Sequence, residues 1–525
     1  MNLLRLAVVL STSVVMILPS SGETLRRVQQ RTSDGTIEGV VSADGNVRAF
    51  KGIPFAAPPV GPLRWREPQP VTPWKGVREA LEFGPRAMQG RIFDDMVFRD
   101  AGPSEDCLYL NVWLPEKAPK GKLPVMVWIY GGGFMAGAAS EPRQDGSSLC
   151  QLGVIVVSMN YRLGIFGFLA HPELAAESGH NASGNYGLLD QIAALRWVRQ
   201  NIGAFGGDPE NVTIFGESAG SMSVCSLVAS PLARGLFQKA IGESGALFNA
   251  DHRMTLQAEA EKADQETLLT RLGTASLAQL RALPASALLD ATLKEPRPWL
   301  RPVVDGYVLP VDALEIYRKG QQSRVPLLAG WNRDEGDAKA IFGEKQSTVE
   351  NLAAFAREKY AARAEDFLKV YHAVTDADAK RTAADYGGDR FIAYSTWKWI
   401  ELQSETSGQP VYRYEFDEPL PLAADAAPGT ERTTPHASDI EFVFRALSAR
   451  PVAWHPEAQG VSEMMAAYWT NFAKTGNPNG PGLPAWPRYD AAKGFSVMHL
   501  QAKATAAPDG HRDRYLFLES ATAHQ

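Results

Sequence analysis

The sequence predicts an α/β fold in which a mostly parallel central sheet carries helices on both faces. Val125-Met126-Val127-Trp128-Ile129-Tyr130 and Val154-Ile155-Val156-Val157 are apolar at every position. Strands covered on both faces read this way, whereas half-exposed antiparallel strands alternate. Elsewhere Leu188, Ile192, Leu195, Val198, Ile202 and Phe205 recur at spacings of three and four, which makes one apolar face on a helical period. Strands and helices of this kind alternate along the chain, the order that gives a sheet with crossover helices.

Taken from the N-terminus, the first segment is not part of that fold. Arg5 supplies a positive charge, Leu6 to Leu18 is apolar or hydroxylated, and Ser20-Ser21-Gly22 offers small residues. This is an export-signal pattern with cleavage near Gly22/Glu23. It is too short to cross a bilayer, which takes about 20 apolar residues. Residues 1–22 are therefore expected to be removed. Residues 23–525 are expected to form one domain, secreted or periplasmic, with no stable membrane span. Strands are expected over Cys107 to Leu114, Val125 to Tyr130, Val154 to Met159, Val212 to Phe215, Lys239 to Gly242, Val325 to Gly330 and Val411 to Phe416. Residues about 340–405 read as a mostly helical insertion near the mouth of the sheet.

Composition narrows the function. The 525 residues are 45% hydrophobic and 21% charged, too apolar for a disordered chain. Lys+Arg number 53 against 59 Asp+Glu, a net charge of −6, which leaves no basic excess to neutralise the phosphates of a nucleic acid. A core of this size needs no disulfide staples. Cys107, Cys150 and Cys225 are an odd set that leaves at least one thiol unpaired. No C-x-x-C or His/Cys cluster has the spacing of a structural metal site, so no metal or organic cofactor is expected.

The chemistry centres on Gly216-Glu217-Ser218-Ala219-Gly220, which follows the Val212 to Phe215 strand and precedes a helix-compatible stretch, Ser221 to Ala229. A Gly-x-Ser-x-Gly turn between strand and helix is a nucleophile elbow: it exposes a strained serine, and its flanking glycines let strand and helix pass closely. The helix N-terminus brings backbone N–H groups to where an oxyanion would form. A serine hydroxyl needs a base, and the base needs an acid to hold its tautomer. In this architecture the acid follows the serine, and the histidine comes last. Both Asp334 and Glu335, just past the Val325 to Gly330 strand, are possible acids. His436, in the long loop after Val411 to Phe416, is one candidate base among several later histidines. Gly131-Gly132-Gly133-Phe134 directly follows another strand. As part of a G-x-G-x-x-A run it imitates a dinucleotide fingerprint, which would require an immediate helix; Gly137 and Pro142 oppose one. The favoured reading is an oxyanion loop that complements the Ala219 N–H.

Several segments together resemble the type B carboxylesterase family of α/β-hydrolases. They are Phe205-Gly206-Gly207-Asp208-Pro209-Glu210-Asn211 through Gly220, Glu105-Asp106-Cys107-Leu108-Tyr109-Leu110-Asn111-Val112-Trp113-Leu114-Pro115, Asn160-Tyr161-Arg162-Leu163-Gly164, Gly187-Leu188-Leu189-Asp190-Gln191 and Tyr468 through Pro478. The resemblance implies an esterase acting on small-molecule esters through an acyl-enzyme, with Ser218 as nucleophile, Glu335 as acid and His436 as base. It also implies oxyanion amides from Gly132, Gly133 and Ala219, and supporting roles for Ser244 and Glu217. Arg64 with Glu105 and Arg162 with Asp190 resemble structural ion pairs. In one departure, Ala87 stands where the family carries the cysteine that pairs with Cys107, which leaves the closure of the loop from about 88 to 106 open. That loop also lacks the tryptophan with which cholinesterases bind a quaternary ammonium, so choline esters are not expected substrates. Pro296 and Pro298 replace bulky acyl-pocket aromatics, which implies acyl groups larger than acetyl. Arg297 and Arg301 lie nearby, as surface charges or as contacts for a carboxylate-bearing ester. A silent binding or adhesion module and a lipase acting at lipid interfaces are the rival readings. Nothing in the sequence sets the number of subunits.

Overall fold

Seven parallel strands form the middle of the sheet, in the spatial order Ile155–Met159, Leu123–Ile129, Gly207–Glu217, Lys239–Glu243, Leu327–Asn332, Val411–Phe416 and Val497–Leu500. This comes from a computed structural model that describes residues 25–117, 120–249, 253–422 and 429–522. The expected export signal, residues 1–22, lies outside the described residues. Strands Ile155–Met159, Lys239–Glu243, Leu327–Asn332 and Val411–Phe416 are buried at every residue. Ile155–Met159 and Leu327–Asn332 are nearly all apolar, as strands covered on both faces tend to be, whereas Lys239–Glu243 and Val411–Phe416 also bury Lys239, Glu243, Arg413 and Glu415.

The flanks are antiparallel. Tyr109–Pro115 pairs with Ile155–Met159, and Val47–Pro54, Thr36–Val41 and Arg27–Arg31 follow outward. Val77–Glu79 adds to Thr36–Val41, and Thr505–Ala507 closes the opposite edge, giving 13 strands among the described residues. Of these flanking strands only Tyr109–Pro115 was expected from the sequence, as Cys107 to Leu114. Arg27–Arg31 reads RVQQR and alternates between exposed and half-buried positions, so it has no apolar run to find; its charges also discourage edge-to-edge pairing.

The apolar stripe beginning at Leu188 becomes helix Tyr186–Asn201 and a 3-10 turn, Ile202–Phe205, stopped by Gly206 at φ 83°. Only a residue that tolerates a left-handed backbone ends a helix this way at no steric cost. Beyond the sixth parallel strand's neighbour Leu327–Asn332, the chain forms helices Lys339–Phe342, Val349–Tyr360, Ala364–Val370, Asp376–Gly388 and Tyr394–Thr406 before returning to the sheet.

All three cysteines are free and buried. The loop that the family closes with a disulfide is closed here by polar contacts. Arg86–Ala87 pairs in parallel with Pro103–Ser104. Arg86 Nη1 lies 2.6 Å from Asp100 Oδ1, and the Gln89 side chain donates to Gly137 O at 2.8 Å and accepts from Gly137 N at 2.9 Å. Ala87 and Cys107 remain neighbours, lining one small cavity.

Candidate active site

The elbow is built by backbone crowding. Ser218 sits at φ 55° between strand Gly207–Glu217 and helix Ala219–Ala229, a conformation that costs a non-glycine residue about 1 kcal/mol or more. It is held there by its N–H, which donates to Glu243 O at 2.8 Å. A Cβ on Gly220 would stand 2.0 Å from Ile129 O, and one on Gly216 would stand 2.5 Å from the same oxygen. Both positions therefore exclude any side chain.

The loop from Gly131 to Phe134 makes a tight turn and no immediate helix, which removes the dinucleotide reading. Gly132 O accepts from Met135 N and Ala136 N, both at 3.0 Å. Gly132 and Gly133 take φ values of 103° and 63°. Among the described residues their N–H groups meet no protein acceptor. Ala219 is the first residue of its helix, so its N–H has no partner within the helix either.

Glu335 and His436 meet. His436 Nδ1 lies 2.6 Å from Glu335 Oε2, and Glu335 Oε1 accepts from Ser244 Oγ at 2.6 Å and from Asn332 N at 3.0 Å. Asp334, the other possible acid, points elsewhere. It pairs with Arg333 at 2.8 Å, and Thr434 N donates to its carboxylate at 2.7 Å while its own N–H donates to Thr434 O at 3.1 Å. Asp334 thus stitches the acid's turn to the loop that carries His436. That loop is also anchored from below: Trp128 lies 4.9 Å from Phe444 and 4.8 Å from Phe215, ring centre to ring centre, joining the histidine loop to the elbow strand.

The other imidazole nitrogen, Nε2, faces Glu217 Oε1 at 3.1 Å. Among the described residues the neighbouring Ser218 hydroxyl makes no hydrogen bond, and its residue is partly accessible. The side chains of Glu217 and Glu335 are 4% and 1% exposed, while that of His436 is 28% exposed, so the imidazole alone of the three reaches solvent. Burial pulls the His436 pKa down, but the Glu217 and Glu335 carboxylates outweigh it and hold the imidazole up at about 10. Burial pushes Glu217 up to about 8 against the pull of His436.

Two buried acids near the site escaped the sequence reading. Glu243, on the strand beside the elbow, accepts from Trp469 Nε1 at 2.7 Å, and burial raises it well above the carboxylate range. Asp439 accepts from Tyr414 Oη at 2.8 Å and is pushed by burial up to about 6. Both adjoin singled-out residues, Ser244 and the His436 loop, but burial of a charge leaves no signal in a single sequence. Arg64–Glu105 at 2.6 Å and Arg162–Asp190 at 2.7 Å are buried ion pairs. Arg297 pairs with Glu295 at 3.0 Å, and Arg301 stacks on Trp299 at 4.6 Å.

Fold and site together define an α/β-hydrolase. The profile of the Carboxylesterase family matches residues 26–516. A fumonisin B1 esterase of Sphingopyxis macrogoltabida is 38% identical over 479 residues, covering 88% of this chain and 85% of that one. A liver carboxylesterase of Sus scrofa is 36% identical, covering 90% and 89%. The solved structure of a PNB esterase superposes with a TM-score of 0.79 at 35% identity, covering 93% of this chain and 99% of that one. The chain belongs to the carboxylesterase family and is a carboxylic ester hydrolase acting on small-molecule esters.

Proposed function

We propose that this chain is an exported serine carboxylesterase that works through an acyl-enzyme carried on Ser218. The observation that supports it best is the Glu335–His436 contact at 2.6 Å beside a strained serine at a helix N-terminus. Glu335, held by Ser244 and Asn332, fixes the Nδ1–H tautomer and makes Nε2, which rests against Glu217, the base. Nε2 turns from Glu217 to the adjacent Ser218 and takes the hydroxyl proton as Oγ attacks the ester carbonyl. The negative charge that forms on the carbonyl oxygen is received by the Gly132, Gly133 and Ala219 N–H groups. His436 then returns the proton to the departing alcohol. Water repeats the sequence on the acyl-enzyme, releasing the acid and restoring Ser218.

An organophosphonate probe tests this directly. Stoichiometric labelling of Ser218, lost together with ester turnover in a folded Ser218→Ala variant, is the expected result. Ester turnover near that of the parent in Ser218→Ala would remove the assignment. Export is the second part of the proposal. Among the described residues no helix is long and apolar enough to cross a membrane. N-terminal sequencing of protein from the periplasm or medium should begin near Glu23; recovery of chains that retain Met1 from those fractions would refute cleavage.

A further inference from the structure

We propose that Glu415, Asp417 and His499 form a site for one divalent transition-metal ion of the zinc type. The sheet register builds the cluster: Glu415 lies directly opposite His499 on neighbouring parallel strands, and Asp417 continues the pairing through its N–H to Leu500 O at 3.0 Å. One ligand atom from each side chain lies within 4.8 Å of the other two. Zinc ligands about 2.0–2.2 Å from the metal stand no more than about 4.4 Å apart, so small side-chain rotations close the set.

Glu415 is the second and independent pointer. It is 5% exposed, and among the described residues its carboxylate has no hydrogen bond or ion pair. A buried carboxylate in that state is costly unless a cation meets it. Among the described residues no cation forms an ion pair with Glu415, although Arg413, whose Nε and Nη2 are unbonded, acts on it from a distance. Arg413 pairs with Asp509, and Arg333 pairs with Asp334 at 2.8 Å. The next acid, Glu418, is likewise taken: it faces His455 at 3.0 Å and accepts from Ala502 N at 2.9 Å. What remains is two carboxylates and an imidazole, with His499 Nδ1 2.8 Å from Asp417 Oδ2.

A mixed nitrogen and oxygen set suits zinc better than calcium or magnesium, which take oxygen ligands. The metal replaces the proton shared by His499 and Asp417, and that proton leaves to solvent. The His499 side chain is 28% exposed, so ions have a path in and water can complete the coordination. The site has a structural role: it ties the last parallel strand to the start of the loop that carries His436.

The test uses tag-free full-length protein, stripped with a chelator, desalted and titrated with zinc chloride. One tightly held zinc per chain and a zinc-dependent rise in melting temperature are expected. Glu415→Gln and His499→Gln should each weaken zinc binding at least about tenfold, as loss of even an outer-shell partner does. His180→Gln should leave it unchanged. Ester turnover of all three variants should match the parent. Without zinc, Glu415→Gln should melt no lower than the parent, since it removes an unpaired buried charge. Substoichiometric zinc after desalting would overturn the proposal. So would undiminished zinc binding in the Glu415→Gln/His499→Gln double variant.

Discussion

Replacing Glu217 by Gln keeps the shape of the side chain but removes the charge that faces His436 Nε2 at 3.1 Å. At an effective dielectric of about 20, two unit charges at that separation interact by roughly 5 kcal/mol. At about 1.4 kcal/mol per pH unit this sets a ceiling near four units. His436 stands at about 10 against an ordinary 6.5, a net rise that already includes the downward pull of burial and upward contributions from Glu335 and Asp439. Removing the largest upward contribution should therefore lower the imidazole by about 2 units, within the usual range for a single close charge. The base must be unprotonated to accept the Ser218 proton. Activity is thus lost below the His436 pKa, and lowering that pKa extends activity to more acid pH. The assay is kcat/KM for a p-nitrophenyl ester across pH. The parent's acid limb should lie above an ordinary imidazole's, and that of Glu217→Gln about 2 pH units lower. An acid limb that stays in place, or moves up, would refute the electrostatic account.

Other expectations follow from the same contacts. Ser244→Ala removes a charge-assisted hydrogen bond to Glu335 worth about 1.5–3 kcal/mol; kcat should fall tenfold or more with KM little changed, read from steady-state kinetics. Asp190→Asn leaves the buried Arg162 guanidinium without its 2.7 Å partner. It should cost about 3–5 kcal/mol of stability, seen as a lower melting temperature with kcat/KM retained in the folded fraction. Gly220→Ala drives a Cβ to 2.0 Å from Ile129 O; we expect about 3 kcal/mol of destabilisation and loss of probe labelling, because the elbow itself must move. Ala87→Cys should form a disulfide with Cys107, observable by thiol titration. Closing a loop of about 20 residues should stabilise the protein by roughly 3 kcal/mol.

What could be read from the sequence was what a local pattern encodes. Six of the seven parallel strands could be read from largely apolar runs, the residue choice that burial on both faces favours; the short Val497–Leu500, which carries His499, was missed. The elbow could be read because only glycine fits at Gly216 and Gly220. The facing of Glu335 and His436 could be expected from motif resemblance alone, since each residue sits in a loop and no periodicity marks it. The pairing of His436 Nε2 with Glu217 depends on how the histidine loop is laid over the elbow, a placement decided by Asp334, Thr434 and the Trp128–Phe444 contact. For the same reason the local reading left Asp334 and Glu335 equal, although one grips the neighbouring loop and the other grips the imidazole. The outer strands stayed hidden because half-exposed edges carry polar residues.

The polar closure of the loop between Ala87 and Cys107 also bears on where this protein can be made. A bond between sulfurs forms only where the surroundings are oxidising, and it can form between the wrong partners. Arg86, Asp100, Gln89 and Gly137 need neither an oxidant nor an isomerase, and all three thiols are free and buried. The chain can therefore reach the same fold on either side of a membrane. On the proposed export route, premature folding before export, rather than failed oxidation after it, becomes the event to prevent.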